Sequence, residues 1–83
     1  MAERSQKNNM LAMEIEAAFS HNFRKARKQG GYKQRNIIDK TGFTQTFVSR
    51  VETRKCGITL GNAAVLAEAV GQPLCKLLHP VEK

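Results

Sequence analysis

The sequence is poor in the residues from which metal sites and disulfide frameworks are built. Its 83 residues include two cysteines, Cys56 and Cys75, and two histidines, His21 and His79. There is no Cys-x-x-Cys pair, and the spacing matches neither a zinc site nor a disulfide framework. We therefore expect two free thiols, no metal and no cofactor.

Long apolar runs are also absent. The first nine residues, MAERSQKNN, contain none, and no stretch approaches the roughly 20 apolar residues that a membrane-spanning helix needs. This predicts a cytoplasmic protein with no signal peptide and no membrane partner. An enzyme is not expected either, because no carboxylate pair or poised histidine for acid–base work can be assembled. Gly30-Gly31 indicates a helix end rather than a phosphate loop.

Acidic residues are scarce relative to basic ones. Asp and Glu number 7 against 14 Lys and Arg, which gives a net charge of +7. Seven of the basic residues, and one acidic residue, lie between Arg24 and Lys40. A charge run is often no more than a solvated face, but a balance of this size also suits a polyanion such as nucleic acid.

What the chain does contain is helical periodicity, within a length that suits one small domain. Near the N-terminus apolar residues recur every four positions, which predicts a helix from Met10 to the Gly30-Gly31 stop. The recurring residues are Leu11, Ile15, Phe19 and Phe23. Ser20 could instead cap a second, shorter helix, but we favour one continuous helix.

Four shorter helices are predicted downstream. They cover Gln34–Lys40, residues 44–54, Leu60–Val70 with Thr59 as its cap, and Pro73–Leu78. No segment has strand periodicity, so the expected fold class is all-α. Residues 1–9 are expected to be a flexible tail, residues 10–79 a single domain, and residues 80–83 a second tail.

The stretch from Gly31 to Lys55 organises the rest of the chain. Gly42 suits the left-handed conformation of a tight turn, and Thr44 is a good N-cap for the helix that follows. In that helix Phe47, Val48 and Val51 form one apolar stripe, which must be buried. Two helices joined in this way predict a helix-turn-helix motif over residues 33–54.

The opposite side of the second motif helix is polar. It carries amides, hydroxyls and one guanidinium but no acidic residue, which suits the donors and acceptors of a DNA major groove. We call this side the reading face; its residues are Gln45, Thr46, Ser49, Arg50 and Thr53. Gln45 can bond an adenine edge and Arg50 a guanine edge, while Thr46 and Ser49 can contact bases or phosphate.

The span from Phe23 to about Leu78 resembles the Cro/repressor-type (Xre-like) helix-turn-helix family of bacteria and their phages. The residues that carry the resemblance are Arg27, GYKQ from Gly31 to Gln34, Ile37, Gly42, Phe43, TQTFVSRVE from Thr44 to Glu52, and LAEAVGQPL from Leu66 to Leu74. The resemblance implies a compact five-helix Cro/repressor-like domain, here with an extended N-terminal helix.

Residue roles follow from the resemblance and from position. The resemblance implies that Gln34 contacts a phosphate and braces Gln45, and that Arg27 and Glu52 form a structural ion pair. Base-reading residues are expected to be Gln45, Thr46, Ser49 and Arg50. Backbone contacts are expected from Lys28, Lys33, Gln34, Arg35, Thr44, Thr53 and Arg54. Three residues depart from the family pattern: Lys33 at a Ser/Thr cap, Ile38 at a small alanine, and Thr41 at a core aliphatic.

The predicted function is sequence-specific binding of double-stranded DNA by a transcriptional regulator. A homodimer would bind a palindromic operator through helix 44–54 and act as a repressor or as a controller that both represses and activates. The alternatives are an antitoxin that binds a toxin and autoregulates its operon, or a non-specific packaging protein. Candidate dimer residues are Leu11, Ile15, Phe19, Leu74, Leu77 and Leu78. A toxin or RNA polymerase partner stays open.

Overall fold

The computed structural model describes residues 6–53 and 57–79, and this part of the chain forms five α-helices and no strand. The helices are α1 (Gln6–Gln29), α2 (Gln34–Thr41), α3 (Gln45–Glu52), α4 (Leu60–Ala69) and α5 (Leu74–Leu77). The predicted all-α class with five helices is confirmed. The outermost parts of both predicted tails, residues 1–5 and 80–83, lie outside the described residues.

The first helix is continuous, as we favoured, but it begins at Gln6 rather than Met10. Its first turn, QKNN, carries no apolar residue, so the periodicity that revealed the rest of the helix could not show where it starts. Ser20 is not a cap. It lies inside α1, where its buried hydroxyl donates a 2.6 Å hydrogen bond to the carbonyl of Val51 and ties α1 to α3.

The end of α1 is set by Gly31, whose φ is +76°. The N–H of Gly31 donates to Lys28 O at 3.1 Å, and the N–H of Tyr32 donates to Arg27 O at 2.9 Å. These two bonds are those of a Schellman cap, which satisfies carbonyls that the last turn leaves free. The chain thereby turns sharply from α1 into α2.

The core lies between the helices, where α1 packs on α3 and α5, and α4 packs on α2 and α5. Its largest fully buried side chains are Phe19, Phe23, Ile37, Val48, Val51 and Leu66. The rings of Phe19 and Phe23 are stacked, with 5.8 Å between their centroids. Each fully buried aliphatic or aromatic side chain contributes about 1.5–3 kcal/mol relative to exposure.

Two of the candidate dimer residues belong to this core, so neither is exposed on the surface of a single chain. Phe19 is 1% exposed and Leu77 is 3% exposed. Phe19 is buried because α1 does not end near Ser20, and Leu77 because α5 folds back onto α1. That packing is held by Asn22, whose Nδ2 donates to the carbonyls of Leu77 and His79 at 3.0 and 2.9 Å. Leu74 and Leu78 are half-buried.

The last two helices are slightly shorter than predicted, because Val70 and Pro73 serve as caps rather than helical residues. Thr59 caps α4 as expected, accepting a hydrogen bond from the N–H of Asn62 at 3.1 Å. Leu60, the first residue of α4, is 72% exposed. None of the helices in the described residues is long and apolar enough to cross a membrane.

Candidate nucleic-acid interface

The turn between α2 and α3 is fixed by Gly42 and Thr41. Gly42 has φ +80°, and its N–H donates to Ile38 O at 2.8 Å. The Thr41 hydroxyl donates to Ile37 O at 2.8 Å and accepts from the N–H of Phe43 at 3.1 Å. The Thr41 hydroxyl therefore closes the turn.

The orientation of α3 follows from its cap and its apolar stripe. The Thr44 hydroxyl accepts a hydrogen bond from the N–H of Phe47 at 3.1 Å. Val48 and Val51 are buried in the core, while the half-buried Phe47 ring packs on Phe43 with 4.8 Å between ring centroids. This packing fixes which side of α3 faces solvent.

The solvent side of α3 is the reading face. Its residues line one shallow depression, and all are exposed except the half-buried Ser49. The helix ends at Glu52, so Thr53 is its C-cap, and the predicted range 44–54 is too long at both ends. The Thr53 hydroxyl donates to the carbonyls of Ser49 and Arg50 at 3.0 and 3.2 Å. Arg54 lies outside the described residues.

Behind the reading face, the carboxylate of Glu52 accepts hydrogen bonds from side chains of two other helices. Arg27 of α1 pairs with it through Nε at 2.5 Å and Nη2 at 3.0 Å, and the Nη1 of Arg27 donates to Tyr32 O at 3.0 Å. Gln34, the first residue of α2, donates from Nε2 to Glu52 Oε1 at 3.1 Å. The side chains of Arg27 and Glu52 are 11% and 4% exposed, so the pair is well shielded from water.

Gln34 therefore braces α3 differently from what the resemblance implied. Its hydrogen bond runs to Glu52, at the C-terminal end of α3, rather than to Gln45 at the N-terminal end. The physical reason is the carboxylate itself, which accepts from an amide N–H more strongly than a neutral side chain does. One N–H of the Gln34 amide is engaged in this bond, and the other is available to a phosphate.

Most of the expected phosphate-binding cations are exposed. Lys28 lies in the last turn of α1, and Lys33 and Arg35 lie at the start of α2. Lys33, the N-cap of α2, makes no capping bond through its side chain. Its backbone N–H donates instead to Asn36 Oδ1 at 2.8 Å, so the capping bond comes from the side chain of Asn36. Lys33 and Arg35 border the N-terminal end of α2, whose free N–H groups also attract anions.

Lys40 has a structural role that the sequence did not reveal. Its ammonium lies 4.1 Å from the centroid of the Tyr32 ring and donates to Ala69 O at 3.3 Å. It therefore links α2 to the end of α4 and to the turn after α1. In the sequence Lys40 is only one of the seven basic residues of the run from Arg24 to Lys40, because charge patterning alone cannot show an aromatic partner.

The described residues contain no cluster of His, Cys, Asp and Glu that could hold a metal ion. Cys75 is a free, exposed thiol, and Cys56 lies outside the described residues.

A five-helix domain that presents a short helix with a polar, acid-free outer side, beside exposed lysines and arginines, is consistent with a small DNA-binding domain. No protein-family model matches the chain. It is similar, at 30% identity over 70 residues, to a protein of Neisseria meningitidis serogroup B named "Neisseria hypothetical transcription factor". The matched region is 84% of this chain and spans 66% of that relative's length.

The fold has a counterpart among solved structures. The crystal structure of the hypothetical transcription factor NHTF from Neisseria matches 96% of this chain and 86% of its own, with a TM-score of 0.76 and 28% identity. The two matches agree in what they are named. Together they support a transcription-factor family for this chain.

Proposed function

We propose that this protein is a sequence-specific, double-stranded DNA-binding transcriptional regulator of the Cro/repressor type, and that it acts as a homodimer on a palindromic operator. The observation that carries the proposal is the reading face: five polar residues on one side of α3, none of them acidic, lining one depression. An acidic residue there would repel the bases' carbonyl and ring-nitrogen acceptors and the flanking phosphates.

Base discrimination is assigned to Gln45, Thr46, Ser49 and Arg50. Gln45 and Arg50 are exposed and have the bidentate groups that read adenine and guanine, each pairing providing about 1–3 kcal/mol of discrimination. Phosphate contacts are assigned to Lys28, Lys33, Gln34, Arg35, Thr44, Thr53 and Arg54.

The twofold arrangement follows from the size of α3. Its 8 residues cover only a few base pairs, and two copies about 34 Å apart on one face of the duplex multiply the discrimination. Repression would then result from occlusion of a promoter, and activation from contact with RNA polymerase beside it. An operator of a bacterium or phage places the protein in the cytoplasm.

A second candidate is an antitoxin that also binds its own operon. The observation that favours it is an apolar groove beside the N-terminal part of α1, which a protein partner could fill. Co-purification of a stoichiometric partner from the native host would support the antitoxin.

The regulator proposal is tested by selecting bound duplexes from a random pool at physiological salt, with wild type, Arg50→Ala and Lys76→Ala. Lys76 is an exposed cation on α5, outside the reading face, so its variant controls for the loss of one positive charge. We expect a palindromic site with wild type and Lys76→Ala, and lost preference at one position of each half-site with Arg50→Ala. Enrichment of no sequence by wild type would refute specific regulation and favour packaging.

A further inference from the structure

The first helix is much longer than the body it packs against. Its 24 residues span about 36 Å, whereas the 10 residues of α4 span about 15 Å. The side of α1 that buries Phe23 and Phe19 continues toward the N-terminus with Ile15 and Leu11. Phe23 and Phe19 are 0% and 1% exposed, but Ile15 and Leu11 are 45% and 52% exposed. The apolar side of α1 therefore runs past the end of the core.

The overhanging part of α1 forms one wall of an apolar groove, which we call the overhang groove. The start of α4 and the end of α5 complete it. Its apolar lining includes Leu11, Ile15, Phe19, Ile58, Leu60 and Leu78. Phe19 is the floor, shared with the core, and the other five form the open sides.

Phe19, Ile58 and Leu78 pack in or against the core of the same chain, but the fold does not require the exposed side chains of the groove to be apolar. Leu60 is the first residue of α4 and is 72% exposed, a position where any polar residue would serve the helix equally well. Exposed leucines scattered singly are ordinary, but here several line one concave surface. Contiguous apolar surface of this kind in a small domain indicates an interaction site.

The charges around the groove favour a second copy of the chain as its occupant. Between Leu11 and Phe23 the charged residues are Glu14 and Glu16, with no lysine or arginine, whereas the basic part of α1 starts at Arg24. Two copies that each carry a net charge of +7 repel one another, least so where basic residues are absent. The same acidic rim disfavours nucleic acid as the occupant.

The shape of the groove is also self-complementary. Leu11 and Ile15 form a ridge on α1 as well as one wall of the groove, so the overhang of a second copy offers the helical apolar ridge that the groove accommodates. In an isologous contact each copy supplies both surfaces, and one twofold operation buries both grooves at once.

We propose that the overhang groove is the homodimer interface, with the Leu11–Ile15 ridge of each copy packed into the groove of the other. The inference rests on the proposed function, which requires a homodimer. It assigns the dimer surface, which the sequence had left open between the residues of α1 and those of α5. Leu11, Ile15 and Leu78 are the candidate residues that it retains, and Ile58 and Leu60 are added.

The test is sedimentation equilibrium of the full chain as wild type, Ile15→Glu, Leu60→Glu and Met13→Glu. Met13 is the matched control, because it lies on the same helix, is 59% exposed and does not line the groove. Leu60 is exposed in the single chain, so its substitution should leave the thermal unfolding of the monomer unchanged. We expect a dimer for wild type and Met13→Glu. For the two groove variants the dissociation constant should rise about 100-fold or more, because an unpaired carboxylate enters the interface.

Three outcomes would overturn the inference: a wild type that stays monomeric, groove variants that dimerise as tightly as wild type, or equal weakening by Met13→Glu. Binding of the selected duplex, measured on the same samples, separates the inference from the proposed function. A dimer that Leu60→Glu dissociates, but that prefers no DNA sequence, would refute the regulator and keep the interface. Specific DNA binding by a dimer that the groove variants do not dissociate would keep the regulator and refute the interface.

Discussion

Replacing Glu52 with glutamine removes the charge at which α1, α2 and α3 meet. The change keeps the shape of the side chain but leaves the guanidinium of Arg27, 11% exposed, without its counter-ion. Removing one partner of a buried ion pair costs about 3–5 kcal/mol, and we take the lower end, about 3 kcal/mol, because some water reaches Arg27. This is a large share of the roughly 5–15 kcal/mol that stabilises a typical small domain.

The loss is measured by urea unfolding followed by far-UV circular dichroism, and by the shift in Tm. At about 4–8 °C per kcal/mol for a domain of this size, Glu52→Gln should lower Tm by about 10–25 °C. Glu68→Gln is the matched control, because Glu68 is an exposed carboxylate on α4, and its change should stay within about 0.5 kcal/mol.

The double variant Arg27→Met/Glu52→Leu decides whether the cost comes from the pair. If the buried guanidinium is what destabilises the single variant, Arg27→Met should cost clearly less in the Glu52→Leu background than in wild type. Equal costs in both backgrounds, or a loss below about 0.5 kcal/mol for Glu52→Gln, would refute the reasoning.

Three further predictions concern single positions. Gly31→Ala should destabilise the fold by about 1–2 kcal/mol in urea unfolding, because φ is +76° there. Gly61→Ala, at a helical position with open space around the added Cβ, should stabilise it by about 0.4–1 kcal/mol. Equal effects of the two substitutions would contradict the left-handed cap. Ser20→Ala should cost about 1–3 kcal/mol by the same measurement, because the buried carbonyl of Val51 loses its donor, and a neutral result would show that this bond is dispensable. Arg35→Ala should reduce the slope of log K against log salt by about 0.9 per half-site, or about 1.8 for the proposed dimer, without changing the selected operator. An altered operator in fluorescence anisotropy would assign Arg35 to bases instead.

The sequence was most informative where a local signal is sufficient. Thr44 and Thr59 cap their helices, and Gly42 adopts the left-handed turn, because each effect depends on neighbours within a few residues. Val48 and Val51 of the apolar stripe of α3 are buried as expected. The tight turn before this short helix leaves only one orientation in which the stripe contacts the rest of the domain. The same stripe left the opposite side as the reading face.

The sequence was less informative about contacts between distant elements, because periodicity shows which side of a helix is apolar but not how far its partners extend. Phe19 and Ile15 occupy the same side of α1, yet one is buried and the other exposed, because the body ends between them. Ser20 could have been a cap or a buried donor until its acceptor, 31 residues away, was known. Lys40 could not be separated from its basic neighbours without the Tyr32 ring.

The unbroken course of α1 has a consequence for the length of the operator. Arg27, which anchors the reading helix through Glu52, and Ile15, in the proposed dimer contact, lie on one rigid rod about 18 Å apart along its axis. In such a dimer the spacing of the two reading helices is set by the rods and not by a hinge. One extra base pair between the half-sites would rotate one half-site by about 34° about the duplex axis. A stiff dimer could then contact both half-sites only if the protein or the DNA were distorted.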